Sequence, residues 1–175
     1  AQSDIVTFHT PLLRSGANPT FHLADSELLS RMKDGATLLN ASRGEVADTA
    51  ALIAHSGRLT LCIDVWEGEP DAIDRQLLSV AEIATPHIAG YSAQGKANAS
   101  AIVVGAMARR LGIEQLLGWY PDDVVPSKPQ PISWADMVAR IDSHCHLKEE
   151  SARMKNHPED FEHRRNSYPL REEFF

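Results

Sequence analysis

Short apolar runs alternate with stretches of helical periodicity along the first half of the chain. Ile5-Val6-Thr7-Phe8 is β-branched and aromatic and is broken by Thr10-Pro11, which reads as a strand and its end. Asp25 can cap a helix over Ser26–Lys33, with Leu28, Leu29 and Met32 on one face and Gly35 as its stop. Ala36–Asn40 reads as a short buried strand. Asp48 can cap a second helix, Thr49–His55, ended by Gly57, and Leu59–Asp64 supplies a third strand. Asp74–Val80 then reads as helix and Glu82-Ile83-Ala84 as a fourth strand. Beyond it, Ser92–Leu111 is a long Ala-rich helix, closed by Arg109-Arg110 near Gly112. The stretch from Pro121 to Pro131, with Pro126 and Pro129 inside it, is a linker candidate. Ser133 can cap a helix over Trp134–Ile141, and Glu159–Arg165 can form another.

Uninterrupted apolar strands alternating with amphipathic helices predict an α/β fold, a parallel sheet covered on both faces. In such sheets, ligand-facing residues gather just past the carboxyl ends of the strands. That rule selects His9-Thr10-Pro11, Asn40-Ala41-Ser42-Arg43-Gly44, Asp64 to Pro70, and Thr85-Pro86-His87, which are the richest polar clusters of this half.

Composition narrows the class without naming a reaction. The 175 residues are 43% hydrophobic and 23% charged, values of an ordinary globular chain long enough to bury a core. Seventeen basic residues against 24 acidic ones give −7, which argues against bulk nucleic-acid binding. The longest apolar run, Ala101–Ala108, is too short for a membrane span. Cys62 and Cys145 make no disulfide framework and suit a reducing cytosol, so a cytoplasmic location is expected.

Arg43, Glu69 and His87 fall on successive inferred strand ends. A guanidinium there suits a carboxylate bidentately. A histidine beside a glutamate is a general base with its charge partner. Gly44 would permit close backbone approach to a ligand. No two glycines are spaced G-x-G, so a dinucleotide fingerprint cannot occur within these residues. A rival signal is Ile141-Asp142-Ser143-His144-Cys145-His146-Leu147. Its H-x-H core is similar to the opening metal motif of TatD-type amidohydrolases, where alternate histidines of an extended strand share a Zn²⁺. That motif needs a barrel after it, so a polar local segment without metal is expected here.

Phe8-His9-Thr10-Pro11-Leu12, Asn40-Ala41-Ser42-Arg43-Gly44, Asp64-Val65-Trp66-Glu67-Gly68-Glu69-Pro70 and Thr85-Pro86-His87-Ile88-Ala89-Gly90 resemble, in order, the signatures of D-isomer-specific 2-hydroxyacid dehydrogenases. The resemblance implies NAD as cofactor and the second half of a Rossmann-like NAD-binding domain over 1–91. It implies catalytic roles for Arg43, Glu69 and His87, and cofactor contacts at Thr10, Ala41, Ser42, Arg43, Asp64 and Gly90. Tyr91, with Arg43, would contact the substrate. The Trp66–Pro70 turn, the His87–Ser92 segment with Gly95-Lys96-Ala97, and the tail from Pro158 to Arg171 narrow the resemblance within the family. They are similar to members that oxidise a small phosphorylated hydroxyacid in vitamin B6 biosynthesis and carry an extra C-terminal α+β dimerisation domain. Residues 92–125 would then be the return helix and a substrate-domain remnant, and 126–175 part of that dimerisation domain, pairing the chain as a homodimer. The alternatives are another D-2-hydroxyacid dehydrogenase or a non-catalytic binding protein of the same fold.

The chain opens without Met on a strand and lacks the glycine fingerprint, which predicts a portion of something longer. The 175-residue chain by itself is accordingly expected to form no NADH from the phosphorylated hydroxyacid. Steady absorbance growth at the NADH band with the purified chain would refute this.

Overall fold

The computed structural model describes residues 2–128 and 130–173, and these fall into two units. The first comprises 1–89 together with 147–167, the second 90–146 together with 168–175.

In the first unit, β1 (Ile5–Phe8), β2 (Thr37–Asn40), β3 (Thr60–Ile63) and β4 (Ile83–Ala84) form one sheet in the order β1-β2-β3-β4, every pair parallel. The crossovers run through α1 (Ser26–Ser30), α2 (Thr49–His55) and α3 (Arg75–Val80). Each of these helices starts where the sequence expects it. Asp25 accepts the Leu28 N–H, Asp48 those of Ala50 and Ala51, and Asp74 those of Gln76 and Leu77. Three same-handed crossovers in one direction put α1, α2 and α3 side by side on one face, where α1 packs on α2 and α2 on α3.

The register explains what is buried. Val6, Leu38 and Leu61 lie across from one another, as do Phe8, Asn40, Ile63 and Ala84, and this face forms the core with Leu29, Leu52 and Leu77. The alternate set, Thr7-Leu39-Cys62-Ile83, is only half-buried or exposed, and Ile5 is 63% exposed. Coverage of both faces is therefore not found among the described residues. A monotonic strand order sends every crossover to the same side, and only one face is closed.

The outer edge of β4 is covered by α6 (Leu147–Asn156), an element the sequence pattern does not announce. Ser151 Oγ accepts the Ala84 N–H at 3.0 Å, and Lys155 Nζ donates to the Ala81 carbonyl. A side chain thus takes the place a neighbouring strand would fill. Met154, and Phe161 of α7 (Phe161–Ser167), enter the same core.

The second unit is built on α4 (Ala93–Leu111). Ser92 Oγ accepts the Gly95 N–H at its start, and Gly112 ends it with φ 69. Arg109 and Arg110 stand in its last turn, where cations suit the carboxyl end. Chain 168–173 returns beside the start of α4: Arg171 O accepts the Ala93 N–H at 2.9 Å and Gln94 Oε1 accepts the Glu173 N–H at 3.0 Å. The proline-rich stretch has no helix or strand among its described residues, and Pro129 lies outside them. After it, α5 (Trp134–Cys145) outruns its expected end and takes in His144. The H-x-H segment is therefore helical up to Cys145, with His146 at φ 44, and not the extended strand on which alternate histidines converge. No helix of the described residues is long and apolar enough to cross a membrane.

Gly44 is the tightest position of the first unit. It is buried, and a Cβ there would fall onto the Trp66 carbonyl and the Glu67 nitrogen. The close approach that the sequence assigned to a ligand is made by the protein's own backbone. A Gly44→Ala substitution should therefore lower stability by about 2 kcal/mol through overpacking. Urea unfolding reads this directly, and an unchanged midpoint would show that the Trp66 segment yields.

Candidate active site

Four adjacent parallel strands end level, and the polar clusters follow those ends. After β1 and β2, a cleft of about 470 Å³ is lined by His9, Thr10, Pro11 and Leu12 on one side and Ala41, Ser42 and Arg43 on the other. The structure thus brings together Thr10, Ala41, Ser42 and Arg43. Thr10 Oγ1 is buried with no hydrogen-bond partner among the described residues, a hydroxyl that suits a polar ligand group in this cleft.

The 40–43 turn is set by Asn40, itself 1% exposed. Its Oδ1 accepts both the Ser42 N–H and the Ser42 hydroxyl, and its Nδ2 donates to the Arg43 carbonyl at 2.9 Å. Arg43 is exposed, its guanidinium donates to the Ser42 carbonyl at 2.6 Å, and no carboxylate among the described residues pairs with it. The cation is available to an acidic ligand.

The β3 end carries Asp64, 6% exposed, and both of its oxygens are engaged. Oδ1 accepts the Thr85 hydroxyl at 2.6 Å and the Ile88 N–H at 2.8 Å, and Oδ2 accepts the Ala89 N–H at 3.0 Å. Its carbonyl accepts the His87 N–H at 2.7 Å. This carboxylate therefore shapes the turn after β4, where His87 adopts φ 56, a left-handed conformation that a histidine holds only when its surroundings enforce it.

His87 Nδ1 and Glu69 Oε1 are hydrogen-bonded, each side chain about four-fifths buried. The other Glu69 oxygen accepts the Trp66 N–H at 3.0 Å. The Trp66 indole, 1% exposed, donates to the Thr85 carbonyl at 2.9 Å and so ties the β3 turn to the β4 turn. With Nδ1 facing a carboxylate, the imidazole is fixed in orientation and its Nε2 is the nitrogen left to exchange a proton.

Glu67 points the opposite way from Glu69 in its partners, meeting the His22 ring and the Thr49 N–H. Burial pushes its pKa up, but the Thr49 hydroxyl and N–H and the His22 ring outweigh this and hold it below its ordinary value. Cys62 is shifted up, by burial first and the Glu82 carboxylate second, so its thiol stays protonated and weakly nucleophilic. Gly90 and Tyr91 belong to the second unit, where the Lys96 ammonium sits 3.8 Å from the Tyr91 ring centroid and Tyr168 meets that ring edge-on. Sequence reasoning missed Asn40, His22 and Glu67 as organisers. A strand-terminal Asn before a turn was a signal for the first, and nothing in spacing links the other two.

The family model described as D-isomer specific 2-hydroxyacid dehydrogenase, NAD binding domain, matches residues 1–89, and the chain belongs to that family. Among curated proteins it is 40% identical to the erythronate-4-phosphate dehydrogenase of Teredinibacter turnerae, over 98% of this chain and 50% of that one. It is 42% identical to the enzyme of the same name from Bacteroides fragilis, over 97% of this chain and 49% of that one. The chain thus spans about half the length of the curated relatives it matches. Among solved structures it is similar to D-lactate dehydrogenase from Aquifex aeolicus complexed with NAD and lactic acid, with TM-score 0.50, 32% identity, and coverage of 72% of this chain and 42% of that one. A glyoxylate reductase from Paecilomyes thermophila gives TM-score 0.51 at 29% identity, covering 66% and 34%.

Replacing Asp64 by alanine deletes three hydrogen bonds from the His87 turn and should cost about 3 kcal/mol. Equilibrium unfolding measures it; a loss no larger than that of an exposed Asp→Ala control would deny Asp64 this role.

Proposed function

We propose that this chain is the catalytic half of an NAD-dependent dehydrogenase that oxidises 4-phospho-D-erythronate to 2-oxo-3-hydroxy-4-phosphobutanoate in vitamin B6 biosynthesis. The observation that carries it is the Glu69–His87 pair on adjacent strand ends, with Arg43 on the next end along the sheet. The substrate comes from the shared name of the curated relatives.

In the oxidative direction His87 Nε2 takes the proton of the C2 hydroxyl. Glu69, on Nδ1, stabilises the imidazolium as the proton arrives. Arg43 holds the substrate carboxylate and polarises the C2 oxygen. NAD would supply the acceptor for the C2 hydride. The residues we assign to holding it are Thr10, Ala41, Ser42 and Arg43 of the cleft, with Asp64 and Gly90. The orphaned Thr10 hydroxyl supports that assignment. Tyr91 is proposed as a substrate contact.

The same reading makes the 175-residue chain inactive by itself and the whole protein a cytoplasmic homodimer joined through its C-terminal region. Support for the dimer comes from α5, where Trp134, Val138 and Ile141 recur at helical spacing and are all exposed.

In the full-length protein, His87→Ala should lower kcat/KM for the hydroxyacid by about 10²–10⁴-fold, the range of general acid–base catalysis. Arg43→Ala should raise KM and lower kcat together. Steady-state kinetics decides, and wild-type turnover in either variant would remove the assigned role.

A further inference from the structure

The turn that carries Glu69 is also fastened from a side the proposed reaction does not use. Glu67 Oε1 lies 2.7 Å from His22 Nε2, and Oε2 accepts the Thr49 N–H at 3.0 Å. One carboxylate thereby joins three separate segments: the loop before α1, the start of α2, and the turn after β3. The His22 ring is gripped in turn. It stacks on Phe21 with centroids 4.0 Å apart, and its Nδ1 lies 3.8 Å from Asp48 Oδ2. Its backbone takes φ 51 and donates its N–H to the Glu45 carbonyl at 2.8 Å.

Trp66, the residue before Glu67, touches both the Glu69 carboxylate and the turn after β4. Its N–H holds one oxygen of Glu69, its indole holds the Thr85 carbonyl, and its backbone rests on Gly44. The path from His22 through Glu67 and Trp66 to Glu69 and His87 is continuous in covalent and hydrogen bonds. Neither His22 nor Glu67 lines the cleft between the β1 and β2 ends. Gly68 stands in the same turn at φ 75, its carbonyl accepting the Ala72 N–H at 2.8 Å.

We propose that His22 is a positioning residue for the His87–Glu69 pair: its bond to Glu67 fixes the backbone of the Trp66–Glu69 turn, and with it the seat of the Glu69 carboxylate on His87. The proposal rests on the acid–base role read for His87 above. A carboxylate rotated on its turn still leaves substrate and cofactor contacts whole, so the loss falls on the chemical step.

The test compares full-length wild type, His22→Ala and His22→Gln, the last with an amide N–H that can reach Glu67. H22A should lower kcat about tenfold, an effect of misplacement and not of lost contact. KM for the hydroxyacid and for NAD should each stay within about twofold. Amide exchange at the Trp66 N–H should speed up, and H22Q should recover both readouts. A wild-type kcat in H22A, or a fall in kcat matched by a rise in KM, would overturn the proposal, as would H22Q behaving like H22A. If H22A does not fold, His22→Asn, too short to bridge, takes its place with the same expected split. If wild type does not oxidise the hydroxyacid, the functional reading fails by itself. Trp66 exchange then still judges the brace, and unchanged protection in H22A overturns it.

Discussion

A buried carboxylate at the end of β3 holds the candidate site in shape. Asp64 sits where a parallel strand stops and its neighbour's chain must turn away, leaving backbone donors that no ladder can satisfy. By taking the Thr85 hydroxyl and the Ile88 and Ala89 N–H groups on its two oxygens, it makes the turn after β4 a consequence of the end of β3. His87 can hold a left-handed backbone only because that turn is determined from outside. The imidazole's place in the molecule is thus decided before its own partner, Glu69, is considered.

The same device recurs along the sheet with different chemistry. Asn40, an amide with donor and acceptor in one group, closes the turn after β2 and presents Arg43. Trp66 closes the turn after β3 with an indole N–H and a backbone N–H aimed at different neighbours. The ends of β2 and β3 are each finished by a buried side chain with hydrogen-bonding groups, Asn40 and Trp66, and Arg43 and Glu69 follow them. Parallel topology supplies adjacent ends, and the buried polar residues convert adjacency into a fixed constellation.

Much of this was legible in the sequence because it rests on local rules. Asp25 and Asp48 announce their helices through capping, and the four strands follow from short apolar runs. The strand-end rule then selects the clusters holding Arg43, Glu69 and His87. What escaped depends on contacts distant in sequence. The helix α6 has strongly polar composition, and its reason for forming is the β4 edge it covers, a partner far earlier in the chain. Coverage of both sheet faces was expected from apolar strands, yet strand order, which no periodicity encodes, decides which face the helices reach. The partnership of His22 with Glu67 spans 45 positions and leaves no periodic trace.

Gly44 shows how a correct selection can carry the wrong reason. Its lack of a side chain was read as room for a ligand, and the space is taken by the Trp66 carbonyl. The consequence for the site is larger than a ligand contact would have been. The residue after Arg43 lies against the residue whose N–H orients Glu69, so the turns that follow β2 and β3 are packed together without any side chain between them. Backbone packed on backbone sets the spacing of the two turns that carry Arg43 and Glu69, with no salt bridge between long side chains required. The proposed reaction asks one group to hold the substrate carboxylate while another takes the proton of the hydroxyl on the adjacent carbon, and Gly44 keeps the strand ends that carry Arg43 and Glu69 in register for it.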